Sequence, residues 1–372
     1  MSVKQSTRYR VQIPAWFDGR GSDAPIVIST RIRVARNLAR HRFLPHVLPQ
    51  ERTVIYNKIA ESLRNQSQFG SFTIVNFSAI SLLEQQLLVE KGIASPDLLR
   101  CEGNRGVAYD HSCRVNIMIN EEDHLRFHYL DSGCRPSEMW GLVNAIDDRL
   151  GQNLDFAYDQ RKGFLTSRPA NSGSGLRVSF LMHLPGLALT KSVDTVLQGA
   201  SQMGIAAEGF FCGHSGVVGN FFLLSSNATI GTHEGEFIES THRIVAEVTR
   251  CEREARQRLL DEARLELTDR IYRAYGILRY ARTLSVVEYL NLASALRLGG
   301  DLRLFTDIAI PDMNHATLLV MPAHLQHCAK KAMNEAECGV ARAEFVRKLC
   351  MKKRKNDYNN STTKNATMTR RN

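Results

Sequence analysis

The alternation of apolar and polar residues predicts β-strands in three parts of the chain. Apolar residues alternate with polar ones, or run continuously, through 115–119, 178–184 and 220–225. Alternation is typical of a strand with one buried face, and a continuous apolar run is typical of a strand buried on both faces. These segments predict a sheet in the first two thirds of the chain.

Helical periodicity dominates further along the chain. No proline lies between Gly186 and Ile310, so long helices can form there without an internal breaker. A glycine pair, Gly299 and Gly300, follows Leu298 and predicts a turn within this helical part. Apolar residues recur at helical spacing in three segments: Val193, Val196, Leu197, Ala200 and Met203; Ile244, Val248, Cys251 and Ala255; Leu267, Ile271, Ala274 and Leu278.

These patterns predict an α+β chain with a sheet-containing domain over 13–250 and an all-α domain over 251–350. At 372 residues, 43% of them hydrophobic, the chain can bury a large core. It has no signal-peptide core and no apolar run long enough to span a membrane, so we expect a soluble, cytoplasmic protein without membrane contact. Its eight cysteines form no CxxC pair, which predicts neither a zinc site nor a disulfide framework.

The positive charge is concentrated at the end of the chain. The net charge is +10, and the segment 351–372 holds seven basic residues and one acid, so six of the ten charges lie there. This segment has few residues to bury, and we expect it to be a disordered, solubilising tail. Because the rest of the chain is only mildly basic, nucleic-acid binding is not favoured.

Three consecutive acids follow the first predicted strand, where residues 115–126 read VNIMINEEDHLR. Adjacent carboxylates raise each other's proton affinity, so such a run usually faces water, a cation or a reacting base. The alternative is a solvated turn after an edge strand. This segment alone leaves both interpretations open.

Arginines alternate with apolar residues in a second segment, at Arg31, Arg33 and Arg36. In an extended chain Arg31 and Arg33 point to the same side. Two guanidinium groups on one face repel each other unless an anion lies between them, and their forked donors suit phosphate oxygens. A pair of surface salt bridges is the alternative.

A loop of small residues, 163–177, precedes the second predicted strand. Gly173 and Gly175 permit close approach of the backbone to a ligand, and Arg177 follows them. The loop lacks the Gly-Lys-Ser/Thr of a Walker loop and the third glycine of a dinucleotide fingerprint, and Val217 breaks a nucleophile-elbow pattern at 213–217. An ordinary surface loop is the alternative.

Arginines for an anion and a carboxylate for a base are what a phosphoryl transfer requires, because the protein chiefly positions the reactants and neutralises charge. A guanidinium acceptor is protonated in water and is a poor nucleophile. A nearby acid must orient it and accept its proton as the N–P bond forms.

From about Ile13 to Lys348 the chain resembles the McsB-type protein-arginine kinases of bacteria, which are relatives of phosphagen kinases such as creatine and arginine kinase. The matching motifs are Ser-Thr-Arg-Ile-Arg at 29–33, Asn-Glu-Glu-Asp-His-Leu-Arg at 120–126, Asn-x-Gly-x-Gly-Leu-Arg at 171–177, and the stretch 272–299. The resemblance implies an antiparallel sheet flanked by helices, then a helical domain for dimerisation and regulation.

The resemblance also implies roles for individual residues. Glu122 would be the base toward the substrate guanidinium, with Glu121 and Asp123 supporting orientation or a metal ion through water. The implied ligand is ATP with Mg²⁺. The residues that would bind the nucleotide are Ser29, Thr30, Arg31, Ile32, Arg33, Arg126, Arg177, Val178, Ser179, Phe180 and Leu181.

Several positions depart from the family pattern. Arg168 stands where the family has a cysteine, Gly92 where relatives often have a nucleotide-contacting histidine, and Glu208 where a fifth arginine would grip phosphate. Gly213 replaces an acid near the substrate. The phosphoarginine-sensing motif keeps only its second half, at Arg342, which argues against such sensing.

Two functional hypotheses follow. The chain is an active ATP-dependent kinase for arginine in proteins, with Arg168 near the nucleotide, or it is a pseudokinase that regulates a partner, with Arg168 paired to Glu122 as an internal pseudosubstrate. The resemblance implies protein substrates with exposed arginine and a homodimer. It also implies a zinc-binding activator protein and a Clp-type ATPase or protease as candidate partners.

Overall fold

The structure is a computed structural model that describes residues 12–44, 46–64, 72–209, 217–226 and 233–351. The predicted disorder of the tail and the substitution at Gly213 lie outside these residues. The strands are β1 Val27–Arg36, β2 Thr73–Asn76, β3 Gly106–Tyr109, β4 Val115–Ile119, β5 Leu125–Ser132, β6 Tyr158–Asp159, β7 Gly163–Phe164, β8 Leu176–His183, β9 Ile205–Gly209 and β10 Phe221–Ser226. The helices are α1 Pro49–Arg64, α2 Leu82–Glu90, α3 Pro96–Arg100, α4 Pro136–Gly151, α5 Pro185–Leu189, α6 Val193–Gln202, α7 Glu234–Glu262, α8 Arg264–Tyr280, α9 Val286–Asp301, α10 Ile310–Leu319, α11 Pro322–Ala329 and α12 Glu335–Met351.

Eight of these strands form one antiparallel sheet in the order β2-β3-β4-β5-β1-β8-β10-β9. The three strands predicted from apolar patterning are confirmed as β4, β8 and β10. β1 lies in the middle of the sheet, between β5 and β8. The segment of alternating arginines is therefore a central strand, with ladder partners on both sides.

One face of the sheet is mainly apolar. Ile32 and Val34 of β1 point to this face, together with Phe127 of β5 and Phe180 of β8, and all four are fully buried. Helices α1, α4 and α7 cover it with their own apolar residues. Burial of apolar surface stabilises a fold by about 25 cal/mol per Å², so this core is the main source of stability for the sheet.

The opposite face carries smaller apolar clusters on β4 and β5. Met118 on β4 belongs to an apolar cluster under α2 and α3, while Leu130 on β5 packs with Trp16 and Phe17 and with Leu318 of α10. Beside these clusters, on the strand next to β5, the face carries the arginines of β1. We call this central region the arginine face.

The helices after α7 enclose a second hydrophobic cluster, built from α8 to α10 and α12. α7 crosses residue 250 without a break and ends at Glu262, and its residues up to Ala255 pack on the sheet. Glu252 accepts the backbone N–H groups of Gly186 and Leu187 at 2.9 and 2.8 Å. In the described part of the chain, no helix is long and apolar enough to cross a membrane.

The turn predicted at Gly299 and Gly300 is wrong by two residues, because α9 continues to Asp301. A Cβ on Gly299 would lie 2.8 Å from Cγ2 of Ile271 on α8. The glycine serves the close packing of α8 on α9. The chain reverses afterwards, at Arg303, which has a φ of 57°.

Candidate active site

The three acids lie in a tight turn between β4 and β5. Asn120 has a φ of 57°, a conformation that asparagine tolerates better than most residues. Its side-chain amide donates to the carbonyls of Arg52 and Asn104 at 2.9 and 2.8 Å. The alternative of a solvated turn after an edge strand is wrong, because β4 is an interior strand and the turn is anchored in the protein.

Each acid of the turn has a different environment. Glu121 is 4% exposed; it accepts from Arg126, from the Ser95 hydroxyl and, at 2.8 Å, from the backbone N–H of Glu122. Asp123 is fully buried and accepts from Asn37 at 2.6 Å and from the Ser167 N–H at 2.7 Å.

Glu122 retains access to solvent, since its side chain is 18% exposed. It lies between two cations: Arg126 is 3.4 Å away, and Arg168 forms an ion pair with its other oxygen. Of the three acids, Glu122 is the carboxylate in contact with an exposed guanidinium.

Four arginines share the arginine face. Across the β1–β8 ladder Arg33 is paired with Arg177, and across the β1–β5 ladder Ala35 is paired with Arg126. Paired residues of antiparallel strands project to the same side. Arg31, two residues from Arg33, therefore completes a group of four guanidinium-bearing side chains next to the acidic turn.

This group has an excess of positive charge. Burial, followed by the charges of Arg126 and Arg177, lowers the pKa of Arg31 to about 10. Burial and the neighbouring arginines also hold the pKa of Arg33 well below its usual value. Nε of Arg33 and Nε of Arg126 are buried without a hydrogen-bond partner. Unpaired donors in such a positive field are suited to an anion with several oxygen atoms, such as a phosphate.

Burial is the largest single influence on Glu121 and raises its pKa, but the charge of Arg126 and the hydrogen bonds outweigh it. The net pKa of Glu121 is lowered. Glu121 is therefore held as a carboxylate that fixes Arg126 beside Glu122.

The predicted nucleotide-binding residues on β1 and β8 divide between the two faces. Ser29, Ser179 and Leu181 project from the same side as Arg31, since Ser29 pairs with Leu181 and Arg31 with Ser179. The side chains of the others are buried on the opposite, apolar side, away from the arginines; these are Thr30, Ile32, Val178 and Phe180.

The glycines before β8 approach the protein's own backbone. Gly175 has a φ of 67°, and a Cβ there would lie 2.6 Å from the carbonyl oxygen of Ala35. Its carbonyl accepts the Ala35 N–H at 3.0 Å. Gly175 therefore docks the loop on β1, so that Arg177 faces Arg33.

Comparison with known proteins extends along almost the whole chain. Residues 54–255 match the family model for the ATP:guanido phosphotransferase C-terminal catalytic domain, and residues 264–361 match that for the protein-arginine kinase McsB C-terminal domain. A protein-arginine kinase of Moorella thermoacetica is 37% identical over 337 residues, covering 90% of this chain and 96% of that protein. The chain belongs to the protein-arginine kinase family. The resemblance inferred from the motifs is confirmed.

Further comparisons agree with this family assignment. The protein-arginine kinase of Bacillus subtilis strain 168 is 32% identical over 90% of this chain and 93% of its own length. A lombricine kinase structure, 23% identical, aligns with a TM-score of 0.54 over 65% of this chain and 71% of that one. The duplicated taurocyamine kinase from Schistosoma mansoni, with bound transition state analog components, has a TM-score of 0.57 and 23% identity over 71% of this chain and 38% of that chain. The α+β fold class is confirmed.

The departures from the family pattern have distinct structural settings. Glu208 on edge strand β9 is exposed and shares the arginine face, through the pairs Ser29–Leu181, Leu181–Leu223 and Leu223–Glu208. It is two strands from β8, roughly 10 Å at a strand spacing of about 4.8 Å. Because Glu208 is exposed, solvent and salt partly screen its charge over such a spacing.

Gly92, which is substituted, and Arg342, which is retained from the family motif, both lie in close packing. Gly92 has a φ of +72°, and a Cβ there would lie 3.3 Å from the Trp16 ring. Arg342 is 2% exposed, and its guanidinium donates to the carbonyls of Val320 and Leu284 at 2.9 and 2.6 Å. Arg342 thus stabilises the end of α10 and the residues before α9.

Three residues of the candidate active site were not predicted from the sequence. Ser95 and Asn37 hold Glu121 and Asp123, yet they lie far away in sequence. His128 pairs with Arg33 on the arginine face, and burial, then Arg31 and Arg126, hold its pKa well below the usual range. The sequence could have predicted His128, because residues two apart in a strand point to the same face and His128 is two residues from Arg126.

Acid should destabilise the fold through His124, which follows the acidic turn. Its Nδ1 accepts the Leu38 N–H at 3.0 Å, so its Nε2 donates to the Arg42 carbonyl at 2.9 Å. Burial is the main cause that lowers its pKa to about 4, against about 6.5 in the unfolded chain. Between these values the unfolded state binds more protons, so the free energy of unfolding should fall with decreasing pH, by roughly 3 kcal/mol in total.

Urea titrations from pH 7 to pH 4 would measure this effect. His124→Asn keeps an acceptor near the Leu38 N–H and should reduce the slope by up to about 1.4 kcal/mol per pH unit. His111→Asn, at an exposed position, is the matched control. Equal slopes for the two variants would contradict the assignment.

Proposed function

We propose that this chain is an ATP-dependent protein-arginine kinase that transfers the γ-phosphoryl group of ATP to the guanidinium of arginine in protein substrates. The observation that carries the proposal is the acidic turn beside the arginine face, with Glu122 already in contact with a guanidinium. Family membership supports it, and does not favour the alternative of a regulatory pseudokinase.

The residues divide the work of the transfer. Arg31, Arg33, Arg126 and Arg177 surround the phosphates and neutralise the charge that is shared among their oxygens in the transition state. Arg126 is fixed by Glu121, so that it lies between the phosphates and the acceptor. The site is rigid because these side chains project from three adjacent strands of the sheet.

Glu122 is the proposed base. As the acceptor nitrogen forms its bond to the γ-phosphorus, the bond from phosphorus to the leaving ADP oxygen breaks, and the proton of the nitrogen passes to Glu122. Asp123 and Glu121 do not share this task, because both are buried and hydrogen-bonded inside the protein. They orient the turn.

Mg²⁺ fits this site as a companion of the nucleotide. Among the residues that the structure describes, no group of three or more His, Cys, Asp or Glu side chains could hold a metal ion. Mg²⁺ in nucleotide sites is held mainly by phosphate oxygens and water, with one or two carboxylates. Glu122 and Glu121 are the carboxylates that contact Arg126 and would lie beside such an ion, and bound Mg²⁺ would supply further charge neutralisation.

The proposed setting is the cytoplasm, with a homodimer as the assembly and exposed arginines of proteins as the acceptors. A zinc-binding activator protein and a Clp-type ATPase or protease are proposed partners, by resemblance to the family. We also propose that the catalytic and helical domains meet within α7, since its residues up to Ala255 pack on the sheet and later helices form the second cluster.

The proposal is tested by incubating the purified chain with Mg·ATP and an arginine-rich protein, and by detecting phosphoarginine by mass spectrometry under conditions that preserve the acid-labile N–P bond. Formation of phosphoarginine that requires ATP is the expected result. ATP binding in calorimetry without any phosphoarginine would favour the pseudokinase.

A further inference from the structure

We propose that Arg168 occupies the position of the acceptor arginine and competes with protein substrates for Glu122. The inference rests on the proposed function and specifies how its acceptor site is controlled. It depends on three features of the described residues: a guanidinium on the proposed base, a backbone that is held in place, and a side chain that is free to leave.

The first feature is the ion pair itself. Nε of Arg168 contacts one oxygen of Glu122, while Nη1 of Arg126 lies 3.4 Å from the other oxygen. The two guanidiniums approach Glu122 from different elements, one from the sheet and one from the connection after β7. Arg126, the arginine of the sheet, is one of the four arginines proposed to bind the phosphates. The guanidinium of Arg168 therefore stands where an acceptor would have to be.

The second feature is the anchored backbone. The N–H of Ser167 donates to Asp123 at 2.7 Å, and the carbonyl of Arg168 accepts from the Thr166 hydroxyl at 2.7 Å and from the Asn171 N–H at 2.9 Å. Pro169 follows, and Arg168 has the extended backbone that a residue before proline prefers. Asp123 thus places the base of the Arg168 side chain beside its neighbour Glu122.

The third feature is the exposure of the side chain. The Arg168 side chain is 75% exposed, whereas that of Arg126 is 12% exposed. Exposed ion pairs are weak, and their strength corresponds to a factor of roughly two to five in an equilibrium constant. Arg168 can therefore be displaced by a substrate arginine, and it raises the substrate concentration that is needed without closing the site.

Arg168→Ser tests this competition. We expect the dissociation constant of N-acetyl-arginine amide, measured by calorimetry, to fall by roughly two- to five-fold. The KM for an arginine-rich protein should fall by the same factor, while kcat and the KM for ATP stay the same. Arg168→Lys keeps the positive charge but loses the planar fork, and should lie between the wild type and the serine variant.

Arg161→Ser is the matched control, because Arg161 is an exposed arginine in the turn between β6 and β7. It should leave every constant unchanged. Unchanged or weaker binding of N-acetyl-arginine amide to Arg168→Ser would overturn the inference, as would phosphorylation of Arg168 itself, because the residue would then be a substrate.

The same experiments separate this inference from the proposed function. If neither the wild type nor Arg168→Ser forms phosphoarginine, but Arg168→Ser binds N-acetyl-arginine amide more tightly, the kinase activity is overturned and the acceptor-site assignment is supported. If the wild type and Arg168→Ser both form phosphoarginine, with equal KM for the arginine-rich protein, the kinase activity is supported and the role of Arg168 is overturned.

Discussion

Glu122→Gln should lower the rate of phosphoarginine formation by roughly 10²- to 10⁴-fold, the range associated with loss of a positioned general base. The amide has the shape of the carboxylate but cannot accept the acceptor's proton. Since Glu122 faces the acceptor and the arginines bind the phosphates, ATP affinity should be unchanged or slightly higher. Single-turnover kinetics and ATP calorimetry on the same sample measure both quantities.

Glu138→Gln provides the matched control, because Glu138 on α4 has a side chain that is 72% exposed and lies outside the acidic turn. It should behave like the wild type. A Glu122→Gln variant that keeps a rate within about ten-fold of the wild type would remove Glu122 from the role of base, since catalysis by a base contributes more than this.

Arg33→Met should have opposite effects on activity and stability. Arg33 is central among the four arginines proposed to bind the phosphates, and loss of such an arginine costs about 10³-fold or more in rate. Arg33 is also 8% exposed and is repelled by Arg126, Arg31 and Arg177. Replacing it with an apolar side chain of similar length should raise the free energy of unfolding, without nucleotide, by on the order of 1 kcal/mol.

Arg36→Met is the comparison that isolates this repulsion. Arg36 lies three residues further along β1 and is buried, but it forms an ion pair with Asp147 and donates to the Ser174 carbonyl at 2.8 Å. Its removal should lower the free energy of unfolding by about 3–5 kcal/mol.

Urea unfolding and thermal unfolding with and without Mg·ATP distinguish the two variants. The wild type should gain about 2.7 kcal/mol at an ATP concentration 100 times its dissociation constant, and Arg33→Met should gain nothing at that concentration. A destabilised Arg33→Met would mean that the arginines are compensated within the protein and are not poised for an anion.

Patterning was sufficient for elements with a strong period. Residues 115–119 predicted β4, and the repeats through 193–203 and 267–278 predicted α6 and α8. It was insufficient where packing set the outcome. Gly299 indicated a turn, yet contact with Ile271 requires a glycine inside a helix at that place.

The sequence by itself determined which chemistry this protein has available: Arg31 and Arg33 on one side of a strand, and three acids in a row. These are local facts, because the period of a strand and the repulsion of neighbouring charges depend only on residues close in sequence.

Only the tertiary structure decided how the acids differ. Asn37 and Ser167 bind Asp123, Ser95 binds Glu121, and Arg168 binds Glu122. Burial and hydrogen-bond partners set the role of a carboxylate, and residues distant in sequence supply both.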